Sequence, residues 1–372
     1  VLLAIKGLGH GGAERLLVDS VANGDQRSFR YEVAFILRRS DALAGELSDA
    51  GTPVHDLGAG RSVDLGWMVS FRRLLLDHRY AIVHFHLPYT AALGRLVILT
   101  LPRHLRPITV YTEHSLWNRV SPLVKLLNRA TVRRDGALIA VSDAAFQALP
   151  RALRGRARVV VHGVDLAPSR AMVARRPEIR AEVRAELGVP EGDLLAVTVA
   201  NLRSEKGYDV LLETARRAGQ RHLPLSFVAA GQGDQAEVLA EQHRSMGLGD
   251  RFRFLGHRLD ALALLTAADI VVLPSHQEGL PVVLMEATSV GATIVATSVG
   301  GVPQVIVDGV NGLVVPPGDP GALVGALQRL AVDPDLRRRL GQAAAEGSAA
   351  FDVARASHEI EDIYRELLED PG

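Results

Sequence analysis

The sequence predicts an α/β fold: two doubly wound, Rossmann-like domains facing a cleft, followed by C-terminal helices. Three observations predict it. Short β-branched runs alternate with amphipathic helical stretches from end to end, the pattern of parallel strand–helix units. The 372 residues exceed what one hydrophobic core usually organises, which argues for two domains. A stretch carrying Pro and Arg, from Val164 to Pro177, breaks the alternation once, near the middle.

Before the break, strands are expected at Val1–Ile5, Tyr31–Leu37, Val54–Leu57, Ala81–His84, Ile108–Thr112, Ala137–Val141 and Val159–Val161, with helices between them. After it, a charged helix over Glu178–Leu187 leads into strands at Leu194–Ala200, Leu225–Ala230, Arg251–Leu255, Asp269–Leu273 and Ala292–Ala296. Leu323–Leu330, Asp335–Ala350 and Phe351–Leu368 lack a strand pattern and read as helices. The domains expected are therefore 1–165 and 166–350, with 351–372 a C-terminal helix returning toward the first. In open parallel sheets ligands sit at the carboxyl ends of the strands.

Composition removes several classes. With 48% hydrophobic and 23% charged residues and no low-complexity tract, the chain is neither disordered nor fibrous. Its apolar runs are strand-length, short of the ~18 residues a membrane span needs. No secretory signal is expected, because Val1–Ile5 has neither a basic flank nor a cleavage site after it. Zero cysteines excludes disulfides, thiolate zinc sites and cysteine nucleophiles, and fits a cytoplasmic protein. Residues 1–165 carry 22 basic against 14 acidic side chains and the remainder 20 against 28, so the first half suits an anionic partner. Only Lys6, Lys125 and Lys206 are lysine among 42 basic residues, a bias that suggests a GC-rich bacterial genome.

Three segments could carry chemistry. Gly7-Leu-Gly9-His-Gly11-Gly12 satisfies G-x-G-x-x-G between a strand and a helix, where small residues let backbone amides approach a phosphate. A dinucleotide reading lacks the acidic ribose ligand, since Leu37 is followed by Arg38-Arg39-Ser40; those arginines keep an NADP reading open beside a plain tight turn or another phosphate ligand. The second segment, Asn201-Leu-Arg203-Ser-Glu-Lys206-Gly207, offers two cations and a helix amino terminus to a pyrophosphate, unless both are solvated loop charges. The third runs from Ser275 through Glu278-Gly279-Leu280-Pro281 to Glu286. With Pro281 in the first turn of a helix, Glu278 lies on the loop before it and Glu286 inside it. Both carboxylates could then accept hydrogen bonds from vicinal hydroxyls while the Gly279 and Leu280 amides meet an anion; a helix cap and a solvated helix face are the plain alternatives.

On these residues the chain resembles the retaining, nucleotide-sugar-dependent glycosyltransferases of family four, the glycogen-synthase-like group with the GT-B fold. Glu278 to Glu286 matches that group's E-x7-E signature. Gly11-Gly12-Ala13-Glu14 resembles its opening glycine loop, Val83-His84-Phe85-His86 the strand end that follows, Thr112-Glu113-His114 its active-site histidine segment, and His162-Gly163-Val164-Asp165 its N-G-V-D element with histidine for asparagine. Phe254-Leu255-Gly256-His257, Gly300-Gly301-Val302-Pro303 and Asn311-Gly312-Leu313-Val314 also fit. The usual Gly-Arg-Leu reads Ala200-Asn201-Leu202 here, with Arg203 placed to substitute. The resemblance implies that Lys206 and Arg203 hold the donor diphosphate, with Asn201 beside them and Gly12 approaching from the other domain. It gives Glu286 to the ribose, Glu278, Gly279 and Leu280 to the sugar, His257 and Arg258 to the region of the base, and His114 to the sugar near C6 as a catalytic group. It also implies a hexosyltransferase-like enzyme in glycan, polysaccharide or glycolipid biosynthesis. Domain closure would then expel water and bring a saccharide or lipid-linked hydroxyl to the anomeric carbon.

The alternatives are a sugar-nucleotide hydrolase or epimerase on this fold and a binding subunit without catalysis. No cofactor is expected, the nucleotide-diphosphate sugar being a co-substrate, and no metal: the only D-x-D, Asp333-Pro-Asp335, reads as a helix start. No nucleic-acid partner is expected. Over Ser121–Arg134 a helix would align Lys125, Arg129 and Arg133, with Leu123, Leu126, Leu127 and Ala130 on another face. Either those leucines enter the core of an ordinary surface helix, or the stripe, helped by Arg151, Arg154, Arg156 and Arg158, meets an anionic membrane at the inner face.

Overall fold

The computed structural model describes residues 1–9, 11–38, 41–61, 64–114 and 121–369. The chain divides into two compact units, Val1–Gly163 with Val353–Gly372, and Val164–Asp352. The sequence reading puts the boundaries at 165 and 350. They fall two residues away because Val164 donates its N–H to the Phe351 carbonyl at 2.9 Å and bridges Asp352, which ties both crossings to the second unit.

In the first unit the strands are β1 (Leu2–Ile5), β2 (Glu32–Leu37), β3 (Val54–Ala59), β4 (Ile82–His86), β5 (Ile108–Glu113), β6 (Ala137–Ala140) and β7 (Ala157–Val159). They pair in parallel in the order β3-β2-β1-β4-β5-β6-β7. Alternate residues feed the two faces: Leu2 and Ala4 enter one core with Phe71 and Phe85, Leu3 and Ile5 the other with Leu17 and Val21. The C-terminal helix, Val353–Glu369, completes the second of these with Ala356, Ile360, Ile363 and Tyr364. Its buried Glu361 accepts from the Tyr31 hydroxyl and the Asp25 amide, both at 2.6 Å.

In the second unit β8 (Leu194–Val199), β9 (Leu225–Ala230), β10 (Phe252–Gly256), β11 (Ile270–Leu273), β12 (Ile294–Thr297) and β13 (Leu313–Val315) pair in the order β10-β9-β8-β11-β12-β13. Strand β13 is absent from the sequence reading. At three residues on a sheet edge before Pro316-Pro317, it is too short for alternation to register. Both orders reverse at one point, between β1 and β4 and between β8 and β11, where doubly wound sheets open a crevice.

The basic helix spans Pro122–Thr131, and its leucines do not enter the core. Leu123 is 66% and Leu126 65% exposed, while Asn128 and Thr131 are buried. The docking face is polar because Arg95, almost wholly buried, donates to Asn128 at 2.5 Å, to Thr131 at 3.2 Å and in a two-pronged pair to Asp135 at 2.6 and 2.8 Å. Its guanidinium also lies 4.9 Å from the centre of the Tyr111 ring. Of the neighbouring arginines, Arg158 pairs with Glu366 and Arg156 caps the Arg133 and Asp135 carbonyls.

Candidate active site

The second unit's constellation forms where its strand order reverses. After β8 the chain makes a short 3-10 turn, Ser204–Lys206, and enters the helix Tyr208–Gln220 through Gly207. Gly207 is left-handed, with φ of 67°, and a Cβ there would stand 2.0 Å from the Pro274 carbonyl oxygen, so only glycine lets this turn lie against the end of β11. The amide of His276 donates to the Glu205 carbonyl at 2.8 Å, stitching the two loops together. Across that seam the Lys206 ammonium donates to both oxygens of Glu278, at 2.8 and 2.9 Å. Ser275, fully buried, donates to the same carboxylate at 2.6 Å. Two residues that the sequence reading gives to separate parts of a donor are thus direct partners, and Ser275, quoted there without a role, anchors the pair.

The loop is backed by Gly300, whose φ is 51° and whose Cβ would fall 1.8 Å from the Glu278 carbonyl oxygen. The Gly301 amide donates to the Gly279 carbonyl at 2.8 Å. Leu280 is buried. Pro281 stands at the N-cap of the helix Val282–Ser289, not in its first turn, since the helix turns only after the extended Pro281. Glu286 is half-buried within that helix. Arg203, 60% exposed, has Glu205 at 4.0 Å, a loose contact that leaves its fork available. Asn201 is half-buried, its carbonyl accepting from the Arg203 amide at 2.9 Å. His257, exposed, follows β10; Arg258 is taken up by Glu186 at 2.5 Å and Asp260 at 2.7 Å, which fixes the loop that carries His257.

The first unit has its own cluster at the carboxyl ends of its strands. His84 and His86 on β4 stack with ring centres 4.4 Å apart. His86 Nδ1 lies 2.9 Å from Nε2 of His114, one residue past β5, and His162, after β7, meets His114 edge-on with ring centres at 5.5 Å. Burial pushes His84, His86 and His114 well below the ordinary imidazole range and His162 down to about 4, so all four are neutral at pH 7. Gly12 opens the helix Gly12–Ala22, exposed, with the Glu14 carboxylate folded over Gly11. His10, Arg39 and Ser40 of the dinucleotide reading lie outside the described residues, and Arg38 pairs with Asp56 at 2.7 Å. Asp333 caps the helix Pro334–Gly347 through the Leu336 amide at 2.8 Å. No group of three or more His, Cys, Asp or Glu stands ready for a metal among the described residues.

Two parallel sheets with interleaved helices, each reversing its strand order once, define an α/β protein of the GT-B fold. Residues 10–168 match the family model described as Glycosyltransferase Family 4, and residues 179–347 that described as Glycosyl transferases group 1. Between them they account for most of the chain, which belongs to this family of glycosyltransferases. An alpha-D-kanosaminyltransferase of Streptomyces kanamyceticus is 29% identical over 84% of each chain. A D-inositol 3-phosphate glycosyltransferase of Saccharomonospora viridis is 34% identical over 60% of this chain and 52% of its own. In overall fold the chain is similar to Anabaena HepE in complex with UDP-glucose, with a TM-score of 0.84 at 21% identity over 98% of this chain and 99% of that one.

Proposed function

We propose that the protein transfers a hexose-like sugar from a nucleoside-diphosphate donor to a hydroxyl acceptor, with retention at the anomeric carbon and without a metal. The observation that carries this reading is the Lys206–Glu278–Ser275 constellation at the β8–β11 reversal. An ammonium has three N–H donors; two are directed at Glu278, which leaves the third for a phosphate oxygen. Glu278 holds the cation in place, Arg203 adds a fork, and the helix starting at Tyr208 adds its dipole to the same anion. Glu286 is assigned to the ribose, Gly279 and Leu280 with Glu278 to the sugar, His257 to the region of the base, His114 to the sugar and Gly12 to a phosphate. The acceptor is a saccharide or lipid-linked alcohol. The exposed Leu123, Leu126, Arg129 and Arg133 favour the lipid-linked kind, met at an anionic membrane surface.

A thermal-shift panel with UDP, GDP and ADP, then their sugars, tests the reading, because a ligand bound only by the native state raises its melting temperature by mass action. One nucleotide should stabilise the chain in a concentration-dependent way. No shift with any nucleotide or nucleotide sugar would overturn the donor assignment.

A further inference from the structure

The His-x-His of β4 has no part in the transfer as described so far, yet it is among the most constrained features of the first unit. His84 is held on both ring nitrogens by hydroxyls, Tyr364 at 2.5 Å from Nδ1 and Thr112 at 2.7 Å from Nε2. His86 lies flat against it, 4% exposed. Its Nδ1 makes the 2.9 Å contact with Nε2 of His114, and its Nε2 is buried with no hydrogen-bond partner among the described residues. The ring also lines a cavity of about 20 Å³, together with the apolar Leu3, Leu17 and Ile360 and the hydroxyl-bearing Ser20, Tyr31 and Ser357.

Two neutral imidazoles sharing a nitrogen–nitrogen hydrogen bond have one proton between them, and its position fixes both tautomers. If His114 donated, the proton of His86 would sit on Nε2 as a buried N–H without an acceptor among the described residues. If His86 donates, that Nε2 is only an acceptor without a donor, a lesser cost, since orphaned buried N–H groups are rarer than under-used acceptors.

We infer that His86 is a positioning residue for His114: its Nδ1–H donates to His114 Nε2, fixing the plane of the catalytic ring and placing that ring's own proton on Nδ1, as a donor toward the sugar. The catalytic consequence rests on the assignment of His114 given above; the tautomer does not. His84 braces His86 by stacking, and Tyr364 braces His84, so the C-terminal helix supports the site from behind.

The test is ¹⁵N NMR of the full chain labelled at histidine, with His114 assigned by its loss in a His114→Gln variant. His114 should be in the Nδ1–H tautomer in the wild type. It should lose that preference in His86→Leu and keep it in His86→Asn, whose amide N–H stands where the imidazole Nδ1–H stood. In transfer assays His86→Leu should lower kcat by about ten- to a hundredfold while KM for the donor stays within about twofold, and His86→Asn should recover most of the loss. Nε2-protonated His114 in the wild type, or an unchanged tautomer in folded His86→Leu, would overturn the inference. If instead His114→Gln transfers sugar at the wild-type rate, the assignment of His114 fails while the tautomer result stands.

Discussion

Lys206 and Glu278 are one unit at the scale of the residue, and their substitutions should behave as one. Lys206→Ala should cost about 2 to 4 kcal/mol of transition-state stabilisation, because charge grows on the leaving diphosphate as the bond breaks. Turnover within threefold of wild type would remove Lys206 from the mechanism. Glu286→Gln should weaken nucleotide binding, whereas Glu278→Gln should slow transfer while the bare nucleoside diphosphate still binds. Because Glu278 also holds the ammonium at 2.8 and 2.9 Å, the Lys206→Ala and Glu278→Gln losses should fall short of additive by about 1 to 3 kcal/mol in a double-mutant cycle. Additive losses would mean that the pair is broken in the working enzyme. If Lys206 and Arg203 meet the diphosphate as proposed, activity should survive chelator; complete loss restored by magnesium or manganese would contradict that. That Lys206 and Glu278 stand on loops between a strand and a helix, and Glu286 inside the helix that follows, was legible in the sequence because glycine and proline mark those junctions. Ser275 and the bond between Lys206 and Glu278 were not, since that contact joins residues 72 positions apart and only the adjacency of β8 and β11 brings them together.

At the scale of the element, the helix Pro122–Thr131 separates what periodicity can and cannot say. Spacing places its residues on faces, and the helix itself is where the pattern puts it. Which face turns inward depends on a partner outside the window: buried Arg95 with Asp135 selects Asn128 and Thr131, and Leu123 and Leu126 are left outside. That outcome sharpens the membrane prediction. The chain should cosediment with phosphatidylglycerol vesicles at low salt and release as salt rises, each basic residue near the surface contributing roughly 1 kcal/mol. A variant with Ser at positions 125, 129 and 133 should lose the salt-sensitive part, and Leu123→Ser with Leu126→Ser the remainder. Binding unchanged by both would make this face a solvated one and a soluble acceptor the better choice.

At the scale of the whole molecule, three buried imidazoles and the half-buried His114 make stability depend on pH with a definite sign. Burial lowers His162 to about 4 from the ordinary 6.5 of an imidazole, so the unfolded chain takes up a proton that the folded one refuses. Its contribution is complete above pH 6.5 and is lost as pH falls from 6.5 toward 4; His84, His86 and His114, also lowered, act in the same direction. At pH 5 the His162 share is about 2 kcal/mol. His162→Asn, which restores the residue usual in the resembling family, should shrink the difference in urea midpoint between pH 7 and pH 5; an equal difference in variant and wild type would show that His162 stays neutral at no cost. The two-unit plan was readable because βα alternation is a whole-chain signal, while the histidine cluster was not, because its members lie on three strand ends that only the sheet order gathers. The most direct measurement is a crystal structure of the chain with whichever nucleoside diphosphate stabilises it. The diphosphate should lie within hydrogen-bonding distance of Lys206 Nζ, beside Glu278 at the carboxyl ends of β8 and β11. A nucleotide seated instead on the Gly7–Gly12 loop, with Lys206 still bound to Glu278 alone, would contradict it.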